Sequence, residues 1–429
     1  MRRALLYATF NGVANCTNGI GRQTQTLLST IAHRWDELTT ETGPITPYIA
    51  TPTPGFHTWA YEPDRLRTTT RIVEEREGRV LHLPHDTNSP FWSPPVWDQL
   101  STAAAQAAVT IADDHDQVLV IAVDTPFLGT GRVYHALDAD PAGKIQTLLT
   151  PYGTSYIHNR PPDDQRLAWE RAGLAAAHGR VHVADIGHYL TRHLIERFAV
   201  DPTRFIPWRS SLDLTAPDLA PMHVDQAIAT IARFGIPVDR PIVLFVGRTD
   251  PTKGFDLLID ALRPIADDVH LVAIIVPNDG YDPLLQTYRD GITSAGLRAT
   301  LIARFERDLP RALAGHPATR VAVCPSRGET LANLPFEISL WARHAGPVLL
   351  VPNHDGFPEQ VDDGVNGLVY HADQMTGLTD GIRRAMTLTT DAAAALRAAA
   401  YQRVIKHRDV VPNLADTLRR CYHSWPADG

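Results

Sequence analysis

The sequence predicts an α/β chain built from two doubly wound, Rossmann-like domains, and three observations carry that expectation. The first is rhythm, because short apolar runs alternate with longer amphipathic segments along the chain, the pattern of strand, helix, strand units around a mainly parallel sheet. The second is size: 429 residues at 44% hydrophobic content exceed one comfortable core and divide into lobes of roughly 200 residues each. The third is repetition, since the alternation restarts after the Pro-punctuated stretch "DLTAPDLAPMHVDQ" (213–226), which reads as a hinge. The expected domains are 1–212 and 213–410, facing a central cleft, with a helical tail at 411–429 that packs back on the first.

The elements follow in order. In the first half "ALLYATF" leads into "RQTQTLLSTIAHRW". "QVLVIAV" and "KIQTLLT" are then followed by "QRLAWERAGLAAAHG", and "RVHVAD" by "IGHYLTRHLIERF". In the second half "PIVLFVG" precedes "FDLLIDALRPIA", "VHLVAIIV" precedes "PLLQTYRDGITSAG", and "ATLIA" precedes "RDLPRALAG". "RVAVCP" then precedes "LPFEISLWARHA", and "PVLLVP" precedes "GFPEQVDD". Each first member is a buried strand and each second member a helix.

Composition excludes several functions. A formal charge of -8 argues against nucleic acid as partner, because such proteins carry a basic face. Cys16, Cys324 and Cys421 are odd in number and widely spaced, which signals neither a disulfide framework nor a structural zinc site and fits a reducing cytoplasm. The apolar runs fall far short of the roughly 20 residues that span a bilayer. "NGVANCTNG" interrupts the first apolar run before a signal-peptide core develops, and no dense Lys/Arg stripe marks a membrane surface.

In open parallel sheets ligands sit beyond the carboxyl ends of strands, and four such places carry unusual chemistry. After "IVLFVG", Gly247 and Arg248 lead through "TDPT" to Lys253, one of three lysines against 37 arginines. With a helix starting at Gly254 or Phe255, this is a seat for a diphosphate, where Arg grips two oxygens and Lys neutralises a departing phosphate. A solvated turn with two surface cations is the alternative. The second place is "NGIGRQT" (18–24), a Gly-x-Gly turn with Arg22 beginning the helix, which either approaches an anion or is a flexible loop. The third is "PSRGETLANLPFEISLWAR" (325–343), where seven residues separate Glu329 from Glu337. Both carboxylates could face sugar hydroxyls, or serve as a loop acid and a first-turn helix acid. The fourth is "PNHDGFPEQV" (352–361), a turn that brings Glu359 to a further helix start.

Taken together and in order, "NGIGR", "VGRTDPTKGFDLLIDAL", the Glu-seven-Glu block and "GFPEQVDDGVNGLVY" resemble the retaining GT-B glycosyltransferases of glycosyltransferase family 4, the glycosyl transferases group 1. The likeness runs along nearly the whole chain. It implies transfer of a sugar from a nucleoside-diphosphate sugar, with UDP favoured, to an acceptor hydroxyl with retention of configuration. It implies no cofactor beyond that co-substrate and no metal. Arg248 and Lys253 match the basic pair on the diphosphate, and Gly247 lies beside them. Gly19 and Gly21 match the first-domain loop over the phosphate, and Glu337 matches the acid on the ribose. Glu329, with the backbone of Leu331, Ala332, Asn333 and Leu334, matches the sugar contact. The chain reads "ETLA" where many relatives read Glu-Gly-Phe-Gly, and Tyr152 stands where the family commonly has a catalytic His. A tyrosine is a poor base near neutral pH. His158 is a substitute or an ordinary loop histidine.

The acceptor is expected to enter from the first domain, past His85, Asp86, Asn88 and Trp92, Asp124 after "VLVIAV", and Tyr152 with Thr154. Each also reads as loop surface. A soluble small molecule is the expected acceptor, an aminoglycoside-like specialised metabolite among them, since the Arg bias and high Pro content point to a GC-rich bacterial genome. The oligomeric state is left open. A metal-dependent alternative would want Asp-x-Asp at a strand end, and "DAD" at 138–140 follows no apolar strand. A nucleotide-sugar epimerase of similar architecture and a non-catalytic nucleotide-binding partner protein are the competing functions.

Overall fold

The computed structural model describes the chain except residues 16–17, 56, 138–142, 160, 278–281, 424 and 426–429. Cys16 and the "DAD" run at 138–140 therefore lie outside the described residues. The chain forms two compact units, Met1–Asp213 with Arg408–Gly429, and Leu214–His407.

The first unit holds β1 (Arg3–Ala8), β2 (Ile45–Pro52), β3 (Arg79–Leu83), β4 (Gln117–Val123), β5 (Ile145–Thr150), β6 (Val181–Asp185) and β7 (Phe205–Pro207). They pair in parallel in the order β3-β2-β1-β4-β5-β6-β7, so the order reverses between β1 and β4. Every residue of β4 and β5 is buried, as expected of parallel strands covered on both faces. β2 and β3 escape a reading by apolar runs. β2 carries Pro47 and Pro52, residues usually confined to edges, yet β3 pairs only from Tyr48 onward, so Pro47 breaks no bond on that side.

The second unit holds β8 (Ile242–Arg248), β9 (His270–Val276), β10 (Ala299–Ile302), β11 (Thr319–Val323), β12 (Val348–Pro352) and β13 (Leu368–Tyr370). Their order is β10-β9-β8-β11-β12-β13, again with a reversal beside the first strand, between β8 and β11. Open α/β sheets bind ligands at such switch points; Arg248 ends β8, and the loops after β8 and β11 carry Lys253 and Glu329.

The unit boundary differs from the expected one by a few residues. Asp213 and residues 408–410 belong to the first unit. Leu212 bridges Asp409 in parallel, and the Arg34 guanidinium reaches Asp409 at 2.5 Å and buried Asp213 at 3.5 Å. The C-terminal helix Val410–His423 packs on the helices Trp35–Thr42 and Gly19–His33. Among the described residues no helix is long and apolar enough to cross a membrane.

Val411, Ala415, Leu418 and Cys421 of that helix are fully buried. Leu418→Ala is expected to cost about 2–5 kcal/mol of stability, measured by urea unfolding. A loss under about 1 kcal/mol would show that the tail helix lies outside the first unit's core.

Candidate functional site

In the second unit β8 delivers Arg248 at its last position, and the chain then turns through Asp250 into a 3-10 turn, Pro251–Lys253. Asp250 organises this turn. One of its carboxylate oxygens accepts from the Thr252 N–H at 2.9 Å and hydroxyl at 2.7 Å, and the other accepts from Arg248 at 3.1 Å. Burial would raise the Asp250 carboxyl, but the Thr252 hydrogen bonds and the charges of Arg248 and Lys253 hold it below the ordinary range. Gly254 follows at φ +67, and a Cβ there would lie 2.0 Å from the Pro325 carbonyl oxygen. The helix Phe255–Leu262 starts immediately after.

The loop after β11 packs against this turn. The Arg327 N–H donates to the Thr252 carbonyl at 2.7 Å, and its guanidinium binds Pro251 O at 2.8 Å and both oxygens of Asp256 at 2.7 and 2.6 Å. Lys253 Nζ thereby meets Glu329 Oε2 at 2.5 Å, with the side chains 25% and 12% exposed. The Lys and the first Glu of the Glu-seven-Glu block are thus brought together. Both expected phosphate cations already carry a carboxylate partner, Asp250 or Glu329, so the cluster of two cations and two anions is formally neutral.

The loop after β12 closes the arrangement from the other side. Asp355, in the left-handed region at φ +56, accepts the Glu329 N–H at 3.2 Å, and the Gly356 N–H donates to the Glu329 carbonyl at 3.0 Å. Gln360 clamps Ala332, accepting its N–H at 3.0 Å and donating to its carbonyl at 2.7 Å. The Ala332 amide is therefore bonded inside the protein and does not stand open as expected. The amides of Leu331 and Leu334 donate to no acceptor among the described residues. Glu337 stands half-buried in the first turn of the helix Leu334–Trp341, behind Pro335, as expected. Glu359 does not start a helix. It ends a three-residue 3-10 turn, Phe357–Glu359, because the Asn366 side chain captures the following backbone, accepting from the Asp362 N–H at 2.7 Å and donating to Gln360 O at 2.9 Å.

In the first unit the expected Gly-x-Gly turn is helix instead. Gly19 and Gly21 occupy the first turn of Gly19–His33, capped by Asn18, whose side chain accepts the Gly21 N–H at 2.9 Å. Asn is among the best N-caps, so the helix starts three residues before Arg22. The glycine that permits close approach is Gly12, at φ +100 with a Cβ position 2.4 Å from the Thr24 side chain.

Asp124 and Tyr152 come together beyond β4 and β5. Asp124 holds φ 63, ψ −174, a conformation nearly confined to glycine, and its carboxylate accepts the Tyr152 N–H at 3.3 Å. Burial raises the Asp124 carboxyl. The Tyr152 hydroxyl accepts from Trp208 Nε1 at 2.9 Å, and burial keeps the phenol well above its usual range, which removes it further from a base. Thr154 is fully buried, its hydroxyl 2.9 Å from His193 Nε2. The next N–H, of Ser155, reaches both oxygens of buried Glu170 at 3.0 Å. Burial pushes Glu170 up to about 7 against the pull of Arg166. His158 closes the short helix Ser155–His158 with its ring where a Gly153 side chain would be.

His85 and Asp86 lie apart in the loop after β3. Asp86 is committed to its own turn, accepting the Asn88 N–H at 2.9 Å and the Ser89 hydroxyl at 2.5 Å. His85 packs edge-on to Phe91 at 6.0 Å and to His57 at 5.7 Å, and burial lowers its pKa. Trp92, 46% exposed, stands among Phe10, Phe91 and Trp97, with ring centroids 5.6, 6.3 and 5.6 Å away. Phe10, Phe91, Asp250, Arg327, Asp355 and Gln360 were not foreseen. "DPT" after Arg248 does carry the Asp-x-Thr cap signature, but no spacing rule ties Asp355 or Gln360 to a loop more than 20 residues earlier.

Two Rossmann-like units of this topology constitute the GT-B fold. Residues 228–403 match the family described as Glycosyl transferases group 1, so the second unit carries that domain. Among the relatives it resembles are an alpha-maltose-1-phosphate synthase of Mycolicibacterium smegmatis, 29% identical over 41% of this chain and 44% of the relative. A D-inositol 3-phosphate glycosyltransferase of Geodermatophilus obscurus is 30% identical over 50% of this chain and 46% of the relative. The chain spans less than half the length of either. Of solved structures, the Anabaena HepE complex with UDP-glucose aligns at TM-score 0.69 and 15% identity over 98% of this chain and 99% of that one. Sucrose-phosphate synthase from Thermosynechococcus elongatus aligns at 0.70 and 17% over 99% and 100%.

Gly254→Ala is expected to lower stability by about 1–3 kcal/mol, through its positive φ and the Pro325 carbonyl, and to displace Lys253 from Glu329. The first effect is read by chemical denaturation, the second by a crystal structure of the variant.

Proposed function

We propose that the protein transfers a sugar from a nucleoside-diphosphate sugar, with UDP the favoured nucleotide, to a hydroxyl of a soluble small molecule with retention of configuration and without a metal. The observation that carries this reading is the Lys253–Glu329 contact at 2.5 Å across the switch point of the second unit, with Arg248 on the same loop. It sets a phosphate-seeking cation beside a hydroxyl-seeking carboxylate, the two ends of a sugar phosphate. Glu337 takes the ribose, and the open amides of Leu331 and Leu334 face the donor. Arg248 and Lys253 stabilise the charge that grows on the leaving diphosphate. In the front-face step the bond from the anomeric carbon to the phosphate oxygen breaks on the face where the acceptor oxygen bonds, and the acceptor proton passes to the departing phosphate. No side-chain base is required, in keeping with a buried phenol at Tyr152.

The acceptor is a polyhydroxylated ring that stacks on Trp92 and its aromatic neighbours. An aminoglycoside-like aminocyclitol fits that description. The names of the relatives also recommend phosphorylated sugars and inositol 3-phosphate as acceptors to be tried.

Thermal unfolding with millimolar UDP, GDP, ADP and dTDP tests the donor. A nucleotide at about 100 times its Kd adds about 2.7 kcal/mol to the native state. UDP is expected to stabilise the wild type, with the gain reduced in Glu337→Ala. Lys253→Ala is expected to lower kcat by about 100-fold or more while weakening UDP less than tenfold, because leaving-group stabilisation belongs to the transition state. Near-normal turnover would remove the phosphate role. Product anomer analysis checks retention, and undiminished turnover in chelator checks metal independence. No nucleotide effect of any kind would favour a non-catalytic module, and isomerisation of the donor alone an epimerase.

A further inference from the structure

We infer that Gln360 is a positioning residue for the donor sugar, acting through the backbone of the 329–334 loop; this rests on the donor reading of that loop. Gln360 is 3% exposed, and both polar atoms of its side chain are spent on one residue: Oε1 accepts the Ala332 N–H at 3.0 Å and Nε2 donates to the Ala332 carbonyl at 2.7 Å. A side chain that satisfies both backbone groups of a single loop residue replaces a neighbouring strand, and it fixes the rotation of the adjoining peptide planes.

Residues 329–333 lie outside helix and strand, and the bonds to the Glu329 backbone come from Asp355 and Gly356 in the segment that also supplies Gln360. Gly356 approaches so closely that a Cβ would lie 1.6 Å from the Thr330 carbonyl oxygen. Gln360 is itself anchored. Its carbonyl accepts from buried Asn366 at 2.9 Å, and the neighbouring Glu359 carbonyl accepts from Arg403 at 2.8 Å.

The consequence is specific. The Leu331 N–H, one peptide before the clamped residue, has no acceptor among the described residues, and Gln360 sets the direction in which it points. With Arg248, Lys253 and Glu337 left in place, loss of the clamp should spare the nucleotide and disturb the sugar. Gln360 therefore acts on the sugar end of the donor alone.

The test compares wild type, Gln360→Met and Gln360→Glu, using free UDP for binding and UDP-glucose hydrolysis, read as UDP release, for turnover. Gln360→Met keeps side-chain length and burial but makes neither bond. It is expected to keep UDP affinity within about twofold and to lower kcat/KM for UDP-glucose about tenfold or more. Gln360→Glu supplies a control that a filled core position does not. As a neutral acid it can accept the Ala332 N–H and donate to the Ala332 carbonyl, whereas the ionised form turns a charge on that carbonyl. Its kcat/KM relative to wild type is expected to rise about tenfold as pH falls from 8 to 5.5. A Gln360→Met enzyme with unchanged kcat/KM, equal losses of UDP affinity and turnover, or a flat pH ratio for Gln360→Glu would each overturn the inference. Wild type that neither binds UDP nor releases it from UDP-glucose would instead fail the donor reading, and the inference with it.

Discussion

Backbone-to-backbone contact among the loops after β8, β11 and β12 is the constraint on which the second unit's chemistry rests. Gly254 meets the Pro325 carbonyl and Gly356 meets the Thr330 carbonyl at distances that leave no space for a Cβ. These approaches, with the backbone bonds from Arg327 to Thr252 and from Gly356 to Glu329, hold three loops from adjacent strands together. The Lys253–Glu329 pair follows from that packing and does not cause it. Partly exposed ion pairs contribute about 0–1 kcal/mol, too little to order three loops against the backbone entropy of about 1–2 kcal/mol per residue. Under the proposed function the pair's part is chemical: it places opposite charges side by side, matching the phosphate and hydroxyls of a sugar phosphate.

The first unit handles its polar groups differently, by burying them. Asp124, Glu170 and Arg166 lie under the turn that carries Tyr152 and Thr154, where desolvation raises both carboxyls. Arg166 bonds Glu170 at 2.7 Å, and the Ser155 N–H bonds it as well, so the cost of burial is offset by direct partners. The left-handed backbone of Asp124 is held by its N–H bond to Thr150 at 3.0 Å and by the Tyr152 N–H. A strained residue at the end of a central strand is thus tied to the backbone of Tyr152 in the turn after β5. Fixed geometry of this kind suits the proposed transfer, in which the protein positions groups.

Much of this was legible beforehand for a definite reason. Strands buried on both faces read as continuous apolar runs, and the ends of those runs mark where a parallel sheet binds. Gly247 and Arg248 accordingly close a strand, Lys253 and Glu329 stand in the loops that follow strands, and Glu337 lies in the first turn of a helix, where residue type and rhythm put them. Gly19 and Gly21 read as a turn yet lie in the helix, because Asn18 caps it earlier than glycine content implies, and the Ala332 amide read as open because the group that consumes it, Gln360, is 28 residues away. Asp86, by contrast, is bonded locally, within its own turn, to Asn88 and Ser89.

By itself the sequence determined the class of architecture, the order of the elements other than β2 and β3, and the charged residues at the strand ends, because hydrophobic periodicity and turn chemistry are local properties of the chain. Only the tertiary structure decided which carboxylate meets which cation, which amides remain open, and where the first unit reclaims the chain after residue 407. Those outcomes depend on contacts between segments distant in sequence, set by close packing that no local pattern records.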